Sequence, residues 1–425
     1  MTKNGIIGLS LSTVGVLAGL TFYTDSVFNQ QIENMLPQMQ QNSVEVALES
    51  KSQGMLSGDA QYMVLVPAQT LRNLIPNASI TEPLELYINH HHSSYPLFVK
   101  SEITLDFTKG TVEQLLHDNP ELSIEHLLTI NTNILFQSNT TTLVVKPIEF
   151  EDKNSKISIG KVNLESHTNF SYDSGDFTGT LEALNMDFNA MGKFSLSGLT
   201  STFDINVIDG MLLTPSSTLS IDEINFVSES RQVDMDLTMK DLSVISGYEN
   251  LDSDALDMKS VIKMDYLDLT TNGEKYNVID TVAEMTIGNI DKAGLIAIDK
   301  ASKNDNYDEI LNGIGLLLKR NIHGEINQLN TNINQLVIKT NGDFSVAPYE
   351  GNDIYSDISQ HFITQSTINY DINLSNNYTE VFPQFSPMID ALIGQKFITK
   401  DDKGNISTIL KMANGAVTAN GTRIR

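Results

Sequence analysis

The 425-residue chain has no cysteine, no tryptophan and only 11 prolines, and it carries 27 Lys and Arg against 53 Asp and Glu. Without cysteine there is no disulfide scaffold, thiolate zinc site, iron–sulfur cluster, thiol nucleophile or lipid-modified cysteine. A formal charge of −26 excludes a protein that tracks nucleic-acid phosphates, which needs clustered cations. So few prolines argue against a long disordered linker. The hydrolase, zinc-protease and nucleotide signatures G-x-S-x-G, H-E-x-x-H and Walker A are also missing. Carboxylates are too plentiful for any pair to stand out. Enzyme function is therefore disfavoured and no cofactor is implied, although a triad assembled in space leaves no linear trace.

What is present begins with Gly5 to Tyr23, an uncharged run of 19 residues. As a helix at about 1.5 Å per residue it spans roughly 28 Å, close to the hydrocarbon thickness of a bilayer. Lys3 precedes it, whereas Asp25, Glu33, Glu45 and Glu49 follow with no cation until Lys51. That asymmetry predicts a cytoplasmic N-terminus with the remaining chain translocated. A cleaved signal peptide is the rival, with Val16-Leu17-Ala18 before Gly19 as its cleavage site. The apolar run continues through Leu20, Phe22 and Tyr23, which favours a retained anchor. Gly15 and Gly19, preceded by Gly8 and Ser12 at four-residue spacing, form a small-residue stripe of the kind that pairs membrane helices. It predicts a homodimer unless it is ordinary membrane-helix composition.

The expected layout is an anchor over 1–23, a helical stalk over 24–58, an antiparallel β-rich body over 59–290 and an α+β region over 291–425. Phe28, Ile32, Met35, Leu36 and Met39 follow helical spacing in the stalk, with Pro37 as a break. From about residue 60 the period becomes 2. Val233, Met235, Leu237 and Met239 alternate with Asp234, Asp236, Thr238 and Lys240, and similar runs fall at 194–198, 203–207 and 262–266. Such runs put apolar side chains on one sheet face and charges on the other. Slips of one residue, at Ile157/Ile159 to Val162/Leu164 and at Ile221 to Ile224, call for face reversals or β-bulges. Ser174-Gly175, Asp209-Gly210 and Asn272-Gly273 are the turn signals. The fold class is thus mainly β with an α+β C-terminal part, a long curved antiparallel sheet behind a membrane helix and stalk. After Asp291, Ile310, Leu311, Ile314, Leu317 and Leu318 predict a helix. Leu336–Ile338 predicts a strand turning at Thr340-Asn341-Gly342-Asp343. Ser386-Pro387 predicts a further helix start. Short strands around Asp402-Lys403-Gly404-Asn405 and Asn414-Gly415 close the chain.

Several short motifs resemble the YdgA-like family of Gram-negative envelope proteins. They are the anchor running into Tyr23-Thr24, the strand Tyr87-Ile88-Asn89-His90, Thr340-Asn341-Gly342-Asp343, and the closing Gly415-Ala416-Val417-Thr418-Ala419-Asn420-Gly421. Where that family has a His-Gly-Pro turn, this chain reads His90-His91-His92-Ser93-Ser94-Tyr95-Pro96, without the Gly-Pro. The resemblance implies an inner-membrane anchor, a periplasmic β-rich body and no catalysis, and it carries over no catalytic residue.

Three other constellations have bland readings beside them. His90 and His92 share a face of an extended strand and suit one metal ion as an i, i+2 pair, but a site needs a third ligand and supporting partners. The bland reading is a solvated turn at a strand end. Ser260-Val261-Ile262-Lys263 matches an S-x-x-K string, yet inside a strand residues three apart point to opposite faces. Asp252-Ser253-Asp254 and Asp305-Asn306-Tyr307-Asp308 lack EF-hand spacing and read as turn and cap residues.

The strongest feature is the apolar strand face. It is either a packed core or a trough for lipid chains, an architecture similar to the AsmA-like envelope proteins. The sequence therefore leads to a non-enzymatic inner-membrane protein of envelope maintenance that holds or passes lipid. An adaptor for another envelope protein is the first alternative, and a metal-dependent or hydrolytic enzyme using His90 or His92 the second.

Overall fold

A computed structural model describes residues 45–54, 57–68, 82–106, 108–111, 113, 126–133, 136–151, 155–188, 192–228, 235–303, 306–351 and 354–424. The chain divides into two compact units, residues 1–152 with 157–181, and residues 153–156 with 182–425. Both are built from antiparallel strands, so the chain is mainly β with a few helices. The helices that follow Asp291 belong to the same unit as the strands from residue 182. The expected anchor, with Gly5, Gly8, Gly15, Gly19 and Tyr23, lies outside the described residues. Among those described, no helix is long and apolar enough to cross a membrane.

Unit one is a meander of β1 (Glu45–Gln53), β2 (Ser57–Val66), β3 (Leu84–Tyr95), β4 (Phe98–Leu105), β5 (His126–Asn133) and β6 (Ser138–Val145). Each pairs with the next. After the short β7 (Ile148–Glu151) and β8 (Lys156–Ile159), β9 (Val162–Asn169) returns beside β6. Next to β9 lies the first half of β10 (Ser174–Phe188). The slip at Gly160 is a break between β8 and β9, which both run along β10. The turn expected at Ser174-Gly175 falls at Phe170–Asp173 instead, and both residues belong to β10. The Asn169 side chain accepts from the Asp173 amide at 3.1 Å and closes that turn early.

The stalk expected over 24–58 is corrected at its end, because Glu45–Gln53 is a strand. Val46 and Leu48 oppose Val64 and Tyr62 of β2. Ladder hydrogen bonds along nine residues outweigh the modest helix propensity of so short a segment. The remainder of the stalk lies outside the described residues.

Unit two starts with β11 (Gly192–Ile208), a short β12 (Met211–Leu212), β13 (Ser217–Ser228), β14 (Met235–Glu249), β15 (Ala255–Thr271) and β16 (Glu274–Asp291). Helices α1 (Lys292–Lys303) and α2 (Tyr307–Leu317) follow, then β17 (Ile322–Ile333), β18 (Leu336–Val346), α3 (Ile354–Gln365) and β19 (Ser366–Leu374). A four-residue turn of helix, α4 (Tyr378–Val381), and α5 (Ser386–Gly394) precede β20 (Thr399–Lys400), β21 (Ile406–Ala413), β22 (Ala416–Ala419) and β23 (Thr422–Arg423). The ladder runs β11-β13-β14-β15-β16-β17-β18-β19-β21-β22-β23.

Two expectations in this unit are corrected. Thr340–Asp343 is no turn, since β18 continues through it to Val346, flanked on both sides by β17 and β19. Gly342 is there for close approach: a Cβ would lie 2.3 Å from the Asn369 carbonyl oxygen and 2.2 Å from the Tyr370 ring. Ser386 is already the first residue of α5, with Phe385 at the N-cap, because the 3₁₀ turn Pro383–Phe385 leads straight into it. Ile389 of α5 points inward and joins Leu336, Tyr378 and Ile406 in one buried core.

Candidate functional site

The register of unit two lines up its apolar side chains in rows across the strands, because residues directly opposite in a ladder share a face. One row runs Phe194, Phe226, Leu237, Leu269 and Tyr276. The next runs Leu196, Ile224, Met239, Leu267, Val278, Ile333 and Leu336. Beyond these come Ile221, Leu242 and Met264, and then Leu219, Val244, Ile262 and Ala283. The opposite face is mixed: Ile245, Val261, Tyr266, Ile279 and Val282 stand there among charged and hydrogen-bonded polar residues. Asn225 donates to Ser195 and accepts from Thr238, and Lys240, Lys275 and Lys259 pair with Glu223, Asp268 and Glu284.

Among the described residues, helices meet this sheet in two places: α4 and α5 close over Leu336, Ile338, Leu374 and Ile406, and α1 and α2 contact β12 and β16. From β11 to β16 the rows are half-buried by their own neighbours, and Leu219 and Ile262 remain 37% and 40% exposed. The hydroxyls that interrupt the rows satisfy one another, Thr281 with Thr331 at 2.8 Å and Ser217 with Ser246 at 2.8 Å. At ~4.8 Å per strand step, the Leu196–Leu336 row is roughly 29 Å long. A monolayer's hydrocarbon depth is about 15 Å, half of the bilayer core.

Two concave cavities, lined mostly by polar and charged residues, lie elsewhere. One, of about 440 Å³, opens beside β1–β4 and is lined by Lys51, Asp59, Gln61, Asn89, His91 and Glu102 among others. A second, of about 370 Å³, is lined by Glu249, Asp257, Lys259, His323 and Glu325 among others.

His90 and His92 do share a face, as the spacing predicts, but they lie in the interior of β3 and not at a solvated turn. They are 7% and 5% exposed, with ring centroids 5.7 Å apart. Gly58 of β2 sits opposite His92 and makes the room, since a Cβ there would fall 2.5 Å from the imidazole. Burial lowers the His90 pKa to about 4, and the neighbouring His92 and His91 push the same way while Asp59 opposes them. His91 faces outward, with its Nδ1 2.7 Å from Asp59. Among the described residues no group of three His, Asp or Glu side chains is placed to hold a metal ion.

The other sequence candidates come out as structural. Ser260 and Lys263 sit three apart in β15. Asn306 caps α2 by accepting from the Glu309 amide, and the amide of Ser253 closes a turn on Asn250.

Two features escaped sequence reading. Buried polar side chains cross unit one in register: Ser94, Thr132, Asn139 and Thr168, joined by Val99. Thr132 donates to Asn139 at 2.8 Å within that row. In unit two a line of bulges brings Asp222, Asp241, Asp265 and Asp280 opposite one another, all exposed, with Gly198 at its end. The slip noted at Ile221–Ile224 was the signal for one member, but the others required the register.

Comparison with known families places the chain. Residues 1–312 match the model of a bacterial protein family of unknown function, DUF945, and the chain belongs to that family. No curated protein and no solved structure matches it.

Proposed function

We propose that the protein is a non-catalytic component of the Gram-negative envelope, of the YdgA-like kind, held in the inner membrane by residues 5–23 with its body in the periplasm. In this reading the apolar face of β11–β16 shelters lipid acyl chains. The observation that carries it is the set of half-buried, in-register apolar rows that runs across β11 to β16, with Leu219 and Ile262 left 37% and 40% exposed. Hiding one chain of about 16 methylenes is worth roughly 13 kcal/mol at 0.8 per CH₂. A bare face of half-buried Leu, Ile, Phe and Met offers that without asking for a specific polar contact. The charged opposite face keeps such a sheet soluble.

The test is photocrosslinking in whole cells that make the full chain. A photoactivatable side chain replaces Ile262 on the apolar face or Lys263 on the other. Recovery of phospholipid adducts from position 262 and not from 263 supports the reading. Adducts at 262 with one discrete protein would replace it by the adaptor alternative. Equal lipid labelling at both positions would remove the trough.

A further inference from the structure

Unit one ends in a row of hairpins with apolar tips. Turn tips are ordinarily Gly, Asn, Asp, Ser or Pro, and those of unit two conform, with Asp209-Gly210, Asn272-Gly273 and Asn414-Gly415. In unit one, β3 and β4 are joined at Tyr95-Pro96-Leu97-Phe98, β5 and β6 close through Phe136-Gln137, and β9 and β10 through Phe170-Ser171-Tyr172-Asp173. The ladder sets these tips side by side. Tyr95 pairs with Phe98, Phe98 with Asn133, Asn133 with Ser138 and Ser138 with Asn169. The Phe170 amide then donates to the Gln137 carbonyl at 3.1 Å. From β3 to β10 the row measures roughly 24 Å at ~4.8 Å per strand step.

Three observations set this rim apart. Phe136 is 75% exposed and Tyr95 46%, and the Tyr95 ring stacks on Phe98 at 4.9 Å. Leu97 and Tyr172 have φ of 66° and 56°, the left-handed region that suits Gly or Asn and disfavours bulky residues. Large apolar side chains therefore stand at these tips against the local backbone preference. Finally, Asp173 is the one ionisable carboxylate among the described tip residues, and the Asn169 side-chain amide donates to it. Lys100, two residues beyond Phe98 in β4, is engaged by Glu102 at 2.6 Å. On a chain of formal charge −26, this rim is almost neutral.

We propose that the rim is a membrane-docking edge, which places the end of unit one in the interface of a bilayer of neutral, zwitterionic phospholipid. Tyr and Phe partition to the headgroup level, where one part of the ring is apolar and the other wet. A line of separate apolar tips, with neither charge nor a central pocket, lacks the features that specify a protein partner. A lipid interface needs only partitioning. The rest of the chain is repelled by an anionic surface within a Debye length of about 8 Å, so an uncharged leading edge selects neutral lipid. The inference concerns unit one and stands apart from the apolar face of unit two.

The absence of tryptophan from the chain supplies a clean probe. The full chain is reconstituted in phosphatidylcholine vesicles with or without brominated acyl chains, carrying Phe136→Trp, Tyr95→Trp or, on an exposed strand of unit two, Lys411→Trp. The rim indoles are expected to lose most of their emission in brominated vesicles and to emit at shorter wavelength than the control, which keeps its emission. Replacing half of the lipid by phosphatidylglycerol should weaken the quenching. Two rim positions, each checked by far-UV circular dichroism against the unsubstituted chain, guard against a variant that fails to fold. Rim indoles quenched no more than the Lys411→Trp control would overturn the proposal, whether the rim then proves exposed to water or seated on a protein. Quenching that appears only in anionic vesicles would overturn it too.

Discussion

Burying His90 inside β3 makes unit one acid-sensitive by a calculable amount. Its folded pKa is about 4, against about 6.5 for an unperturbed imidazole. The lowered value means that between these limits the unfolded chain binds a proton which the folded chain does not. Stability is therefore full above pH 6.5, falls as the pH drops, and reaches its limiting loss once the pH passes below 4. The total for 2.5 pH units is about 3 kcal/mol, of which about 2 is lost by pH 5. His90 is only 7% exposed, so solvent screening takes little from this. The groups facing it are Ala60 across β2, Ile103 across β4, and the rings of Tyr62 and His92 on the same face. None of these is anionic. Outward-facing Asp59 is the one carboxylate that favours the protonated form. The measurement is hydrogen exchange of the β3 peptide from pH 7 to pH 5, with rates corrected for intrinsic pH dependence, in the original chain and in His90→Gln. The variant should start less protected but lose about 2 kcal/mol less of β3 stability over that range. Parallel pH profiles for the two proteins would refute the reasoning, because other carboxylates titrate identically in both.

Three further outcomes follow from packing. Leu336→Ala should cost about 2–5 kcal/mol by thermal or urea unfolding, since Leu336 is fully buried with Tyr378, Ile389 and Ile406 and those neighbours cannot all collapse into the void. Gly342→Ala should cost about 1–3 kcal/mol by the same assay, as its Cβ meets the Asn369 backbone, which cannot move without breaking the β18–β19 ladder. Asp241→Gly should instead raise the melting temperature, by about 1 kcal/mol of stability. It relieves a φ of 53° and removes one of several like charges set directly opposite on adjacent strands.

Much of the architecture was legible because two-residue periodicity survives wherever one sheet face is apolar. The strands at 194–207 and 262–266, the α2 face from Ile310 to Leu317 and the Asn272-Gly273 hairpin could all be read from local pattern. Failures occurred where tertiary pairing decides. Thr340–Asp343 has the composition of a turn, yet ladders on both sides hold it extended, and Gly342 serves contact with Tyr370 and not chain reversal. The triple histidine is polar enough to suggest a surface turn. Its members His90 and His92 are nevertheless buried, because Gly58, 34 positions earlier in the chain, faces His92 across the sheet and leaves space for it. Such a complementarity appears only once register is known. The rim of unit one was illegible for the same reason, since Tyr95, Phe136 and Tyr172 become neighbours of one row only through β4, β5, β6 and β9 pairing.

The bulge line gives the apolar face its continuity. Along β14, Met235, Leu237 and Met239 point to one side, and strict alternation would next send Asp241 there and Leu242 and Val244 to the charged side. The left-handed turn at Asp241 absorbs one residue, so that Lys240 and Asp241 are both exposed and Leu242 rejoins the apolar side. A single bulged strand would mismatch its neighbours from that point on. Here Asp222, Asp265 and Asp280 stand opposite in β13, β15 and β16, and Ile221, Met264 and Thr281 resume pairing on the same level. The correction is thus shared across the sheet, and the Leu196–Met239–Val278 row and the Ile221–Leu242–Met264 row form one uninterrupted surface. Carboxylates at the bulges pay a repulsive cost on the outer face, and what that cost maintains is an apolar face that stays continuous from β13 to β16.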